Sequence, residues 1–304
     1  MNKIIITGGS GLLGSRLVPF LKSKNFVPAI LSRNNRKNDP NYFVWNPDAG
    51  QIDTAVLEDS GAIVHLAGAG IADKSWTEAR KKVILDSRVK SATLLFETLK
   101  SKPNRIRTII SASAVGIYGD GDGEWKNEES SIDRGFLQDT CVAWENSVQR
   151  FEELGIRVVI FRIGVVLSND GGAYPQMSLP IKFLAGAALG SGEQYISWIH
   201  IDDLCRMIVH ALENENMHGV YNAVAPQPVT NREFYRVLAK KLSRPLWPFN
   251  VPASILKIIL GKKAEIVLNG QRVANAKILS TGFEFRFNNL NEAIDELKNN
   301  RGEN

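Results

Sequence analysis

The chain has 304 residues, 44% hydrophobic and 23% charged, with 37 Lys and Arg against 32 Asp and Glu. That balance excludes a disordered chain, collagen and a disulfide-stapled scaffold, and the length allows one large domain or two ordinary ones. The charge is spread evenly, with 20 basic and 17 acidic residues in 1–150 and 17 and 15 in 151–304. No basic stripe forms, so the net charge of +5 argues weakly for a small anionic ligand and poorly for nucleic acid.

Only Cys141 and Cys205 are present, and His65, His200, His210 and His218 share no ligand spacing with Cys or carboxylates, so no metal site is expected. The start Met1-Asn2-Lys3-Ile4-Ile5-Ile6 breaks at Thr7-Gly8-Gly9 before a signal-peptide core forms. No uncharged apolar run approaches the roughly 18 residues of a membrane helix. The reading is a cytoplasmic protein with a small-molecule partner and neither membrane nor nucleic acid. Monomer and homodimer stay open.

In chain order, segments 3–7, 27–32, 62–67, 108–113 and 157–163 carry Ile, Val and Leu on consecutive positions. Continuous apolarity is what a strand buried on both faces requires. Between them, 12–24, 77–100 and 136–154 show apolar residues at helical spacing. The alternation predicts an α/β, Rossmann-type doubly wound parallel sheet with right-handed crossovers. After about residue 170 helical patterns dominate (202–212, 231–242, 252–260, 291–299), with strands expected at 220–224 and near 284–287. This places a nucleotide-binding domain at 1–170, with contributions up to about 225, and a smaller, mostly helical substrate-side lobe at 171–304.

The glycine run Gly8-Gly9-Ser10-Gly11-Leu12-Leu13-Gly14 lies between the first strand and the first helix. Glycines there permit a tight turn and the close approach of a pyrophosphate, whose charge the helix N-terminal amides receive. A hydrolase nucleophile elbow is excluded because Leu12 stands where glycine is needed, and no Gly-Lys-Ser/Thr follows to make a P-loop. The second strand ends Leu31-Ser32-Arg33 without the acid that binds a free ribose 2′-OH; the next acid is Asp39. Arg33, with Arg36 and Lys37 nearby, suits a 2′-phosphate instead, so NADP(H) is expected ahead of NAD(H); a solvated polar loop is the alternative.

With Val64-His65-Leu66-Ala67-Gly68 and Ser111-Ala112-Ser113-Ala114-Val115-Gly116-Ile117-Tyr118-Gly119, the glycine run resembles the extended short-chain dehydrogenase/reductase group. Ser75-Trp76, Ser87-Arg88-Val89, Asp170-Gly171-Gly172, Ser197-Trp198-Ile199-His200, Ala225-Pro226-Gln227-Pro228-Val229-Thr230 and Gly270-Gln271-Arg272-Val273 are similar to its atypical branch, the sugar-nucleotide epimerase-like family. Members of that branch carry a C-terminal domain of unknown function, here about 251–297. The resemblance implies that Gly8, Ser10, Gly11, Leu12 and Gly14 hold the pyrophosphate. It implies Leu66, Ala67 and Gly68 on the adenosine-ribose side, with Ser87 near the cofactor. Ser111, Ala112 and Ser113 would lie against the nicotinamide ribose, and Ile163 and Gly164 would enter the nicotinamide pocket.

The chain departs from the wider group where active members carry Tyr-x-x-x-Lys. Cys141 occupies the tyrosine's place and Glu145 the lysine's. Cys141 reads as a small buried apolar residue rather than a catalytic thiol. Ser113 keeps the place of the usual catalytic serine, and Tyr118 is the candidate phenol, acid/base or pocket wall. Trp144, Trp198, His200 and Arg272 are the candidate substrate-pocket residues; for Trp198 and His200 a core anchor and a satisfied histidine are the alternative, and Asp202 is expected to cap the next helix. The functional readings are an epimerase-like NADP(H) oxidoreductase acting on a small carbonyl, hydroxyl or sugar-nucleotide-like compound, and a non-catalytic NADP(H) sensor. A nucleic-acid or assembly factor has least support.

Overall fold

The computed structural model describes residues 2–34, 39–121 and 123–299. Its centre is an eight-stranded sheet of β1 (Lys3–Thr7), β2 (Val27–Ser32), β3 (Tyr42–Asn46), β4 (Gln51–Ile52), β5 (Ser60–His65), β6 (Thr108–Ala114), β8 (Arg157–Ile163) and β12 (Gly219–Ala223). The remaining strands are short: β7 (Trp125–Lys126), β9 (Val165–Leu167), β10 (Tyr195–Ile196), β11 (Trp198–His200), β13 (Val229–Thr230) and β14 (Arg272–Val273). The helices are α1 (Leu12–Ser23), α2 (Glu78–Ser101), α3 (Phe136–Gln149), α4 (Ala173–Lys182), α5 (Ile201–Glu213), α6 (Asn231–Lys241), α7 (Ala253–Leu260), α8 (Glu265–Leu268), α9 (Ala276–Leu279) and α10 (Leu290–Asn299).

The sheet order is β12-β8-β6-β5-β1-β2-β3-β4, parallel throughout except for the β3–β4 pair. Alternate side chains explain why the strands are apolar at every position. Ile4, Ile6, Val159 and Phe161 pack with Leu17 and Leu21 of α1 and Leu204, Met207 and Ile208 of α5. Ile5, Val158 and Ile160 pack on the other face with Leu95, Phe96 and Leu99 of α2 and Val148 of α3. A third cluster joins Leu167, Tyr174, Trp198, Phe234, Leu238, Ile294 and Leu297 beyond the sheet's C-terminal edge. The chain leaves β1 for β2 on one side and β5 lies on the other, so a switch point opens above β1 and β5, where open α/β sheets bind ligands.

Three strands begin and end where the sequence predicts them, 3–7, 27–32 and 157–163. The strand expected near 284–287 does not form. The backbone amides of Arg286 and Phe287 donate instead to the Asp203 carboxylate, at 2.9 Å each, so a side chain takes the bonds a ladder would have taken. The segment still turns its aromatic residues inward, since Phe283, Phe285 and Phe287 are all buried. Helix α4 was not foreseen, because Pro175 and Pro180 obscure its period.

Candidate functional site

The glycine run forms the turn from β1 into α1 at the switch point. Gly8 adopts φ +69°, and a Cβ there would stand 2.7 Å from the Leu66 carbonyl oxygen; a Cβ on Gly14 would stand 2.3 Å from the Gly8 carbonyl oxygen. Only glycine allows this fold of the loop. Gly11 is the N-cap of α1, no side chain caps the helix, and its first turn holds no acid. Ser10 and Gly11 are exposed, and Leu12 is half-buried with Gly171 and Gly172 against it. The helix thus presents uncapped amides and a positive dipole end at an open turn, which fits a pyrophosphate.

The neighbouring strand end is locked from below. Thr7 Oγ1 accepts from the amides of Leu66 (3.0 Å) and Ala67 (3.1 Å) and donates to His65 Nδ1 (2.9 Å). That assigns the His65 proton to Nε2, which meets Ser91 Oγ of α2 at 3.3 Å. Burial, reinforced by the nearby Arg88 charge, lowers the His65 pKa to about 4. Ser87 faces the loop, its Oγ accepting from the Ala69 amide (2.9 Å) and donating to the Ile84 carbonyl (3.0 Å). The Arg88 guanidinium lies against Gly68 and over the Trp144 ring at 4.8 Å. Arg33 is exposed just past the end of β2, beside β1. Arg36 and Lys37 lie outside the described residues.

At the end of β6 the polar side chains form one connected network. Ser113 Oγ donates to Glu145 Oε1 at 2.6 Å, and Glu145 is held by Arg162 Nε and Nη2 at 2.9 Å each. Arg162 Nη1 donates to Tyr118 Oη (3.0 Å) and to the Glu128 carbonyl (3.3 Å). Tyr118 donates to Asn222 Oδ1 (2.7 Å). Every member from Ser113 to Asn222 is buried. Burial works against the Arg162 charge, but Glu145 and Tyr118 outweigh it and raise its pKa. Burial chiefly raises the Tyr118 pKa. Cys141 packs among Val115, Ile117, Tyr118, Val224 and Val273, and burial followed by the Glu145 charge pushes its thiol up to about 11. Ser111 is buried and bonds its neighbour's carbonyl, with Ala112 beside it; Ile163 ends β8, and Gly164 is required because a Cβ there would stand 2.4 Å from the Ser197 carbonyl oxygen.

Three substrate-pocket expectations are corrected. Trp198 is fully buried in the third core cluster and donates Nε1 to the Gln227 carbonyl at 2.9 Å, so it anchors the core. His200 is 1% exposed; its Nδ1 accepts from the Asp202 amide (3.2 Å) as the N-cap of α5, and its Nε2 meets Glu296 at 3.1 Å. The expected cap, Asp202, instead grips Arg16 of α1 (2.7 and 3.1 Å). Trp144 is buried in the core with α2 and α3. Arg272 differs: it is half-buried on β14, its guanidinium close to the rings of Trp125 and Tyr195. Among the described residues no three His, Cys, Asp or Glu side chains are grouped to hold a metal, and no helix is long and apolar enough to cross a membrane.

Residues 4–223 match the NAD dependent epimerase/dehydratase family, and residues 251–297 match a domain of unknown function. The chain belongs to the NAD dependent epimerase/dehydratase family. Epimerase family proteins of Staphylococcus epidermidis and Staphylococcus aureus are 35% and 36% identical to it, over 98% of this chain and 99% of theirs. A human epimerase family protein solved with NADPH superposes with a TM-score of 0.86 at 29% identity, covering 98% of this chain and 99% of that one. A nucleoside-diphosphate sugar epimerase from Corynebacterium glutamicum gives 0.78 at 30% identity, covering 96% of this chain and 57% of the other.

Within this epimerase family chain, the residues that sequence reasoning missed are the partners. Glu145 stands at the lysine's place in the sequence, and nothing in the pattern marks Arg162 as its counter-ion. Asn222, Thr7 and Arg16 carried no signal beyond being polar in apolar surroundings. Ser197 was visible only as a motif letter; its Oγ donates to the Gln271 carbonyl (2.7 Å) and accepts from the Val273 amide (3.0 Å), tying two family motifs together.

Proposed function

We propose that this protein binds a nicotinamide dinucleotide, NADP(H) ahead of NAD(H), and acts as an epimerase-like oxidoreductase on a small carbonyl or hydroxyl compound. The observation that carries the reading is the glycine turn delivering the uncapped N-terminus of α1 to the switch point of the sheet. The NADPH in the human relative supports it. Gly8, Ser10, Gly11, Leu12 and Gly14 would hold the pyrophosphate, and Arg33 the 2′-phosphate. Leu66, Ala67 and Gly68 would flank the adenosine ribose, with Ser87 bracing their loop. Ser111, Ala112, Ser113, Ile163 and Gly164 would border the nicotinamide end. When bound, the cofactor supplies hydride exchange.

The proton is the harder half. The Ser113 hydroxyl proton is committed to Glu145, which leaves its oxygen free to accept from a substrate hydroxyl. Tyr118 already donates to Asn222 and accepts from Arg162, so it serves as a second candidate only if that network opens. This engagement of both groups is the specific observation favouring a second reading, an NADP(H)-binding sensor without turnover. Calorimetry on the full chain tests the shared premise. NADPH should bind at least tenfold more tightly than NADH, the share of a charge-assisted pair worth ~1.5–3 kcal/mol. Arg33→Ala should erase that preference and leave NADH affinity unchanged. Equal affinities in the parent protein would remove the 2′-phosphate assignment, and no binding of either would remove the function.

A further inference from the structure

The strand β14 carries a cation that the protein itself leaves unanswered. The Arg272 guanidinium lies over two aromatic rings, its central carbon 4.3 Å from the centroid of Trp125 and 4.9 Å from that of Tyr195. Its Nε is buried and has no hydrogen-bond partner, and among the described residues no carboxylate pairs with it. Two aromatic rings lie close to the guanidinium, and among the described residues no acceptor of the protein meets its Nε. A buried N–H is costly to leave unmade, and a two-oxygen anion matches the geometry of the guanidinium fork.

The surroundings hold this arginine in place while offering it no acceptor. β14 pairs with β7, placing Arg272 opposite Trp125. Ser197 Oγ bonds the backbone on either side of Arg272, at Gln271 and Val273. Gln271 turns its amide to the Gly119 carbonyl, and Asp120 accepts from the Gly270 amide at 3.2 Å. The polar side chains nearest in the chain are thus spent on backbone. Trp125 stays 49% exposed over the guanidinium, an open face on an otherwise tied-down strand.

The position relates to the buried network at the end of β6. Val273 packs with Val115, Ile117, Tyr118 and Cys141, and the Ala274 carbonyl accepts from Asn222, the partner of Tyr118. The chain from Arg272 to Ala274 therefore runs from the unanswered cation to the buried network beside β6.

We propose that Arg272, held against the rings of Trp125 and Tyr195, is the receptor for a carboxylate or phosphate group of the substrate. The compound handled here is then an acid or a phosphate ester rather than a neutral carbonyl. Calling the bound anion a substrate group rests on the proposed function; the anion site itself does not.

The full chain is saturated with NADPH, so that sites for cofactor phosphates are filled, and titrated by calorimetry with inorganic phosphate and separately with malonate. Binding of either anion in the parent protein is expected, weakened at least tenfold in Arg272→Gln. Phosphate alone binding assigns a phosphate ester, and malonate alone a carboxylic acid. Trp125→Ala, a change at a half-exposed side chain, should weaken the same anion several-fold and keeps the test open if Arg272→Gln fails to fold. The ¹⁵Nε–H signal of Arg272 should shift on saturation. Neither anion binding to the parent, or unchanged binding in both variants, overturns the proposal. If NADPH does not bind, the same titrations on the cofactor-free chain still decide the anion site, and the failure belongs to the cofactor reading.

Discussion

Glu145 and Arg162 hold each other through parallel hydrogen bonds of 2.9 Å, both side chains almost wholly buried between α3 and β8. The carboxylate at the place where the resemblance expects a lysine is therefore one half of a buried ion pair. Removing either partner strands a charge in the interior, which costs ~3–5 kcal/mol. Urea unfolding of Glu145→Leu and Arg162→Met should show losses of that order. The double variant should lose much less than their sum. Simple additivity would show that the pair is not coupled. Glu145→Lys, which restores the group's usual residue, should be the most damaging single change here, because it sets two cations side by side.

The thiol of Cys141, with a pKa near 11, is protonated at neutral pH and buried. Iodoacetamide should therefore label neither Cys141 nor Cys205, which is buried too, until the protein unfolds. Cys141→Ser should cost ~1–3 kcal/mol, the desolvation of an unpartnered hydroxyl, and leave NADPH affinity unchanged. Abolished turnover at intact stability would show that the thiol is the acid after all.

Tyr118→Phe deprives both Arg162 Nη1 and Asn222 Oδ1 of a partner, so it should lower stability by ~1–3 kcal/mol. Ser113→Ala removes one bond to a carboxylate that Arg162 still holds, and should be milder in stability while lowering turnover on any carbonyl substrate. A Tyr118→Phe protein with parent stability and no turnover would return the phenol to the role of proton donor.

Acid should find His65. Its pKa falls from 6.5 in the unfolded chain to about 4 in the fold, so the unfolded state binds the extra proton between those values. Stability from this residue is full above pH 6.5 and is lost as pH falls toward 4, by roughly 3 kcal/mol in total. His200, its pKa also lowered by burial, adds to the loss in the same direction. In His65→Gln the decline of unfolding free energy from pH 6.5 to 4 should be shallower than in the parent protein. Parallel profiles would show that His65 is not titrating in that range.

Three kinds of information stood in the sequence by itself. Consecutive Ile and Val at 3–7 and 157–163 required strands buried on both faces, hence a parallel sheet with helices on each side. Glycines at 8, 11 and 14 between a strand and a helix marked a tight turn open to a phosphate. Cys141 and Glu145 stand where the family resemblance expects a tyrosine and a lysine. Each of these is local, encoded by period or by residue type within one element. What the tertiary structure decided was partnership. Arg162 answers Glu145 because the crossover returns β8 beside β6. Asp203 takes the Arg286 and Phe287 amides, so an extended phenylalanine segment never becomes a strand. Trp198 and His200 alternate correctly on β11, yet the packing of α6 and α10 encloses them, and a pocket wall becomes core. A hydrogen-bond partner is chosen by which elements the crossovers bring together, and no periodicity along one segment records that choice.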